Sequence, residues 1–482
     1  MNKIKFVFTS ILITLNMNQI TFPQENKNKL FDDYLSKYIE NKKVPSISAG
    51  VLKDGKIQWL GVKGIADIED NDPVNIHSLF RIASITKPIT AVAVLQLWEK
   101  GLIDLDKDVR VYLPDFPEKK WKFTTRQLLN HTAGIRSYKD GEFHNKKYYS
   151  SVAEAVKVFE YDSLIYEPGT KYEYTSLGYS LLGLIIEKIS KLSYEKYLIK
   201  NIFEPSGMKY TILDKQQEIV PNRVKGYEKN FERKIKNAPL ADLSIKSAGG
   251  GLLSTAEDIL LFAKSLLEGK LIKHSTFNSI IKQTKLKNGN LVDYGLGFAL
   301  GMEKDSLKTI SHTGGGTGFT TMLLIEPENK LAAVHLLNIS DRNLGLPSID
   351  LMQIETNNIE VIPLKTLSDD LMTTYLNQGI DSSITKLYHI YDNEANQYHL
   401  NENEAIYFAK DLLGLNKPAA AIFYLRELIK KYPKSFNVMV ALADAYYKDN
   451  NNGLALRHYR LAAQMNPKDI HVNYMIRKMS NK

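Results

Sequence analysis

Between residues 29 and 43, Leu30, Phe31, Tyr34, Leu35 and Tyr38 recur on one side of a 3.6-residue period, which predicts an amphipathic helix. Two extended runs follow, 47–52 and 57–62, and they flank Asp54-Gly55, a hairpin signal. A second pair of extended runs, 320–325 and 331–337, lies far downstream, joined by Glu326-Pro327-Glu328-Asn329-Lys330. Between the two pairs the pattern is mostly helical. Strands from both ends of this long segment are therefore expected to make one antiparallel sheet around a largely helical insertion. The predicted class is α+β, an antiparallel sheet flanked by helices, followed by an all-α tail.

The tail begins where strand signals fade, after about residue 345. Pro433 and Pro467 lie 34 residues apart, the tetratricopeptide period. On that period Ala409, Leu412, Ala421, Leu425 and Leu428 align with Ala443, Tyr446, Ala455, Tyr459 and Ala462. Small residues let paired helices approach closely, and proline ends the second helix of each pair. The stretch 470–479 reads as a closing helix. Two repeats are few for an independent solenoid, so they are expected to lean on the helices at 365–395. The expected units are 1–24, a signal peptide or N-terminal anchor; 25–356, a catalytic domain; 357–395, a helical connector; and 396–482, tetratricopeptide-like repeats.

Composition narrows the function. The 482 residues are 44% apolar and 24% charged, enough for a large core and an ordinary surface. The net charge of +9 comes from scattered Lys–Glu and Lys–Asp mixtures, with no basic arm, so no nucleic-acid partner is expected. There is no cysteine, which excludes disulfides, thiolate metal sites, a cysteine nucleophile and a lipidated N-terminal cysteine. Lys3 and Lys5 precede a largely apolar run at 6–15, a signal-peptide shape too short to span a bilayer comfortably. Export to a bacterial periplasm or medium is expected. Membrane contact is expected only if that segment stays uncleaved, and no A-x-A-like cleavage pair marks its end.

Three stretches carry candidate chemistry. In Arg81-Ile82-Ala83-Ser84-Ile85-Thr86-Lys87-Pro88 the serine stands at the start of an apolar helix closed by Gly101. Lys87 lies one turn on, so its amine reaches the Ser84 hydroxyl, and a buried neutral lysine can take the serine proton. In Pro168-Gly169-Thr170-Lys171-Tyr172-Glu173-Tyr174-Thr175-Ser176 a turn feeds a loop on which the Tyr174 phenol, as a phenolate beside a cation, can relay protons. In His312-Thr313-Gly314-Gly315-Gly316-Thr317-Gly318 a glycine-rich edge leads into the strand at Thr320, where backbone N–H groups can hold an oxyanion. That stretch lacks the Gly-Lys-Ser/Thr ending of a phosphate loop.

In this order the three stretches form the signature of active-site serine penicillin-recognising enzymes. The chain resembles class C beta-lactamases and their relatives, the D-amino-acid-directed peptidases and beta-lactamase-like esterases, from about residue 29 to 356. Leu128-Leu129-Asn130-His131-Thr132-Ala133-Gly134, Ser247-Ala248-Gly249-Gly250-Gly251-Leu252 and Tyr294-Gly295-Leu296-Gly297 also resemble family segments. The resemblance implies that Ser84 is the acylated nucleophile, Lys87 its partner and Tyr174 the activating tyrosine. It implies an oxyanion hole from the N–H groups of Ser84 and Gly315, with Ser176, His312, Thr313 and Gly314 in the substrate-binding group.

Two positions depart from the family. Ser176 stands where the tyrosine loop carries asparagine, and lacks an amide to reach both lysine and substrate. His312 stands where penicillin-processing enzymes carry lysine, and is expected to be mostly neutral. Both favour ester, peptide or D-amino-acid substrates over penicillins. No cofactor or metal is implied: there is no His-Glu-x-x-His, and His131 reads as structural. A competing reading keeps the fold without turnover, as a binding or regulatory module whose protein partner docks on 396–482. The loops 136–150 and 220–245 are expected to shape the pocket, in conformations the sequence does not reveal.

Overall fold

The computed structural model describes residues 24–304 and 306–480. The leader expectation falls almost wholly on 1–23, outside the described residues. No helix among the described residues is long and apolar enough to cross a membrane.

One seven-stranded antiparallel sheet organises the body. Its spatial order is Ala299–Glu303, Ser306–Gly316, Phe319–Glu326, Leu331–Leu337, Ser46–Lys53, Lys56–Asp67 and Asp72–Pro73. The two distant hairpins meet at its centre, with Val51 opposite Ala333 and Ile47 opposite Leu337. Asp54 (φ 49°) and Gly55 (φ 72°) are both left-handed, the geometry of a tight hairpin turn that follows strand twist. The glycine-rich edge at 312–318 is the end of the strand Ser306–Gly316 and the turn beyond it.

Alternation along the strands separates two cores. Leu323, Ile325, Ala332 and Val334 face the helical insertion, while Met322, Leu324, Leu331 and Ala333 face the opposite side. There they pack on Phe31, Tyr34 and Leu35 of helix Gln24–Lys42 and on Leu351 and Ile354 of helix Pro347–Asn357. The insertion is built round helix Thr86–Glu99, buried on every side from Thr86 to Leu97. That explains its apolar sequence without a polar stripe.

The C-terminal region is all helical and has its own core, including Leu371, Leu387, Phe408, Tyr424 and Tyr459. Helices Glu402–Gly414 and Pro418–Lys431 form one pair, and Phe436–Lys448 and Asn452–Met465 the next. Ala409, Ala421, Ala443 and Ala455 are all fully buried where the helices meet.

This region is docked on the body through charge. Lys229 and Arg233, from the body's hairpin Tyr227–Lys229/Ile235–Asn237, each reach Asp369 at 2.6 Å, and Arg233 reaches Asp341 at 2.6 Å. All four side chains are buried. Asp369 lies on helix Leu367–Gln378 of the tail. The Phe231 ring, at the hairpin tip, lies against Gly414, where a Cβ would fall 2.4 Å from it.

Candidate active site

The nucleophile turn is strained. Ala83, immediately before Ser84, holds φ 47°, a left-handed conformation unfavourable for a residue with a Cβ. A short 3-10 turn, Ala83–Ile85, then runs into helix Thr86–Glu99. Strand Ser306–Gly316 pins this turn from the side. A Cβ on Gly314 would lie 2.0 Å from Thr321 Oγ1 and 2.5 Å from the Ile82 carbonyl, so only glycine permits the approach. The Thr321 hydroxyl also donates to that carbonyl, at 2.9 Å.

Lys87 is fully buried, with Nζ 3.0 Å from Ser84 Oγ, 2.9 Å from Ser176 Oγ and 2.6 Å from the Gly249 carbonyl. No carboxylate pairs with it among the described residues. Burial, reinforced by the charge of Lys246, holds its amine well below the usual lysine range. Its Nζ donates to the Gly249 carbonyl and lies within hydrogen-bond reach of both the Ser84 and the Ser176 hydroxyl. Tyr174 lines the same cleft as Ser84, and Lys87 Nζ lies 4.7 Å from its ring centroid.

Burial pushes the Tyr174 phenol up, and the Ser84 hydroxyl only partly offsets this. Tyr174 therefore rests as a neutral phenol.

Ser176 reaches the lysine with its hydroxyl, Oγ 2.9 Å from Lys87 Nζ, and has no second polar group to offer a substrate. Tyr138, from the loop at 136–150, hydrogen-bonds Ser176 and fills the space beside it. Tyr138 was not singled out from sequence, since nothing in one tyrosine among 27 distinguishes it.

His312 does not face the open cleft. It is buried behind Tyr174, ring centroids 6.0 Å apart, with Nδ1 2.7 Å from the Thr313 carbonyl and Nε2 3.0 Å from Tyr294 Oη. A ring nitrogen facing a carbonyl must carry the proton, so Nε2 accepts from Tyr294. His131 completes the chain. Its Nδ1 accepts from the Thr175 N–H at 3.2 Å, so its Nε2 donates to Tyr294, at 3.3 Å. Both imidazoles are neutral; burial, with the Lys87 charge beside it, drops His312 to about 3. Burial first, then the charges of Lys87 and His312, likewise lowers His131. His131 holds φ 59°, and its carbonyl accepts from Glu173 N–H and Tyr166 Oη, so it organises the Tyr174 loop from both ends.

The open cleft is small, about 100 Å3, and is lined by Ser84, Tyr138, Tyr174, Ser176, Lys246, Gly315, Gly316 and Thr317, among others. Thr313 and Gly314 do not line it. Gly315 does, and a Cβ there would meet nothing within 4 Å. The strand neighbour Ala299–Glu303 pairs only as far as Ser311, leaving one edge of 312–316 without a strand partner beside Ser84. Backbone N–H groups on that edge and at Ser84 supply donors of the kind an oxyanion needs. No cluster of three or more His, Asp or Glu suited to a metal occurs among the described residues.

A serine held between a buried lysine and a phenol, under a strand edge, is the site of an active-site serine acyl-transfer fold. The Beta-lactamase family model matches residues 31–350, and the chain belongs to that family. The human protein "Serine beta-lactamase-like protein LACTB, mitochondrial" is 28% identical over 390 residues, covering 61% of this chain and 71% of that one. "Penicillin-binding protein 4*" of Bacillus subtilis is 30% identical over 294 residues, covering 57% and 64%. Among solved structures, the octameric penicillin-binding protein homologue from Pyrococcus abyssi superposes with TM-score 0.58 at 26% identity, covering 70% of this chain and 78% of that one. The D-amino acid amidase of Ochrobactrum anthropi SV3 shares the fold, with TM-score 0.59 at 24% identity over 70% and 99%.

Proposed function

We propose that the protein is a serine hydrolase working through an acyl-enzyme on Ser84, on esters, peptides or D-amino-acid derivatives rather than penicillins. The observation that carries the reading is Lys87, buried without a carboxylate and in hydrogen-bond reach of Ser84. Ser84 Oγ attacks the acyl carbon as its proton passes to the Lys87 amine. The oxyanion turns toward the N–H groups of Ser84 and Gly315. Tyr174 protonates the leaving group and regains a proton from the lysine side. Water then enters, gives its proton back along the same route, and releases the acid from Ser84.

The test is labelling with fluorophosphonate and penicillin probes, beside turnover of nitrocefin, short acyl esters and D-amino-acid amides. Ser84-dependent labelling with ester or amide turnover exceeding nitrocefin turnover is expected. Equal labelling of Ser84→Ala would sink the reading. The alternative, a binding module without turnover, is favoured by Ser176 in the asparagine place, and predicts no hydrolysis across that panel.

The all-helical region is proposed to be tetratricopeptide-like, with a protein partner on 396–482. The second helix pair starts 34 residues after the first, at 436 against 402 and at 452 against 418, which supports the repeat reading. Export through 1–24 is proposed from the sequence pattern alone; N-terminal sequencing of secreted protein checks it.

A further inference from the structure

The cleft beside Ser84 contains two basic residues, Arg81 and Lys246, and no acidic one. Arg81 is neutralised, with Nε 2.7 Å from Asp214 Oδ2 and a second donor on the Ala241 carbonyl. Lys246 is not. It is buried, makes one hydrogen bond, 3.1 Å to the Phe143 carbonyl, and otherwise lies over the rings of Phe143 (4.2 Å) and Tyr138 (5.1 Å). No carboxylate pairs with it among the described residues. The acids of the surrounding loops are engaged elsewhere: Glu142 with Arg136, Asp242 with Ser244, Asp214 with Arg81.

A lysine held out of water without a counter-charge is costly unless something compensates it. Two aromatic faces and one carbonyl compensate it in part. Two of its three ammonium donors remain for a ligand. Its field already reaches the catalytic amine, since it is one of the two causes that lower Lys87. The strand position that would otherwise carry a cation holds His312, neutral and turned away from the cleft.

We propose that Lys246 is the anion anchor of this site, selecting acyl substrates that carry a carboxylate close to the scissile bond. This inference rests on the hydrolase reading for the location of the scissile bond. The cation absent from the strand is supplied from the segment before Ser247, across the cleft from Gly315. Tyr138 and Phe143 shape the same wall, so an anion with an apolar flank fits it. Lys246 here is a specificity residue that touches substrate, not a group that moves a proton.

The experiment uses aryl esters in matched pairs: a free carboxylate on the acyl side or on the leaving side, each beside its uncharged methyl ester. Wild type is expected to prefer one carboxylate-bearing member in kcat/KM, and the preferred side locates the anion. Lys246→Met is expected to lose about 10- to 100-fold on that substrate, as for one charged hydrogen bond, and little on its neutral partner. Lys246→Arg should keep the preference. If Lys246 merely holds the 138–145 loop in place, Lys246→Met lowers both members equally, and the proposal is overturned. Fluorophosphonate labelling of Lys246→Met checks that the site is still folded.

A second arm needs no turnover. Calorimetry on Ser84→Ala should show tighter binding of the anionic ester than of its neutral partner. That difference should vanish in Ser84→Ala/Lys246→Met. Equal binding of both esters to Ser84→Ala overturns the anchor. Absent labelling and turnover in wild type would instead count against the hydrolase reading, leaving the binding arm to decide the anchor by itself.

Discussion

Lys87 shows how one buried side chain sets the chemistry. Burial without a carboxylate partner holds its amine well below the usual lysine range, so it can act as a base at pH values where an exposed lysine cannot. Ser84 labelling should therefore fall as pH drops through the Lys87 pKa, on a limb lying well below 10.5. Lys87→Met keeps the volume and removes the base. It should slow acylation by about 100- to 10,000-fold, read as the rate of fluorophosphonate labelling.

The buried histidines make the opposite statement about stability. His312 and His335 titrate near 3 in the folded protein and near 6.5 unfolded. The unfolded chain thus binds more protons between those values. Their contribution is fully present above pH 6.5 and is lost as pH falls through that window, at up to about 1.4 kcal/mol per pH unit for each. Urea midpoints measured from pH 7 to 4 should fall steeply, and less so in His335→Gln. At this scale the sequence singled out Ser84, Lys87 and Tyr174, which the structure brings together, and expected His312 to be neutral, as its burial makes it. Side-chain type was legible. The size of each pKa shift was not, because it depends on burial by residues distant in the chain.

Among the elements, the strand Ser306–Gly316 carries most of the positioning. Gly314→Ala would press a methyl onto Thr321 Oγ1 and the Ile82 carbonyl and push the strand off the nucleophile turn. Acylation should drop by more than about tenfold, since misplacement of about 1 Å is costly in an oriented site. Gly315→Ala meets nothing within 4 Å and should fold normally, its effect falling on bulky substrates. Kinetics on a small and a large ester separate the two. From sequence, the strand was visible only as glycines. Its partner Ala299–Glu303 has little apolar alternation to announce it. The loop at 136–150 gave still less, yet it supplies Tyr138 and Phe143 to the cleft.

Across the whole molecule, the buried ionic cluster joins the helical region to the body. Removing one member leaves charges without partners in a dry interface. Asp369→Ala should destabilise by about 3–5 kcal/mol, seen as an earlier unfolding transition in urea. The hairpin Tyr227–Lys229/Ile235–Asn237 leads on to Ala241, Leu243 and Lys246, so the same variant should also loosen the cleft wall and weaken discrimination between charged and neutral esters. An unchanged transition would mean that apolar contacts such as Phe231 against Gly414 hold the interface by themselves.

By itself the sequence determined the class of fold, the Ser84–Lys87 pairing, and the 34-residue offset of the tail, because those rest on local periodicity and short spacing. The tertiary structure decided the surroundings of each titratable group: Tyr174 buried as a phenol, His312 turned away from the cleft, Lys246 in the cleft without a carboxylate partner. It also decided that the tail is docked through Asp369. These depend on desolvation and on charges brought together across more than a hundred residues of chain, and no local pattern encodes them.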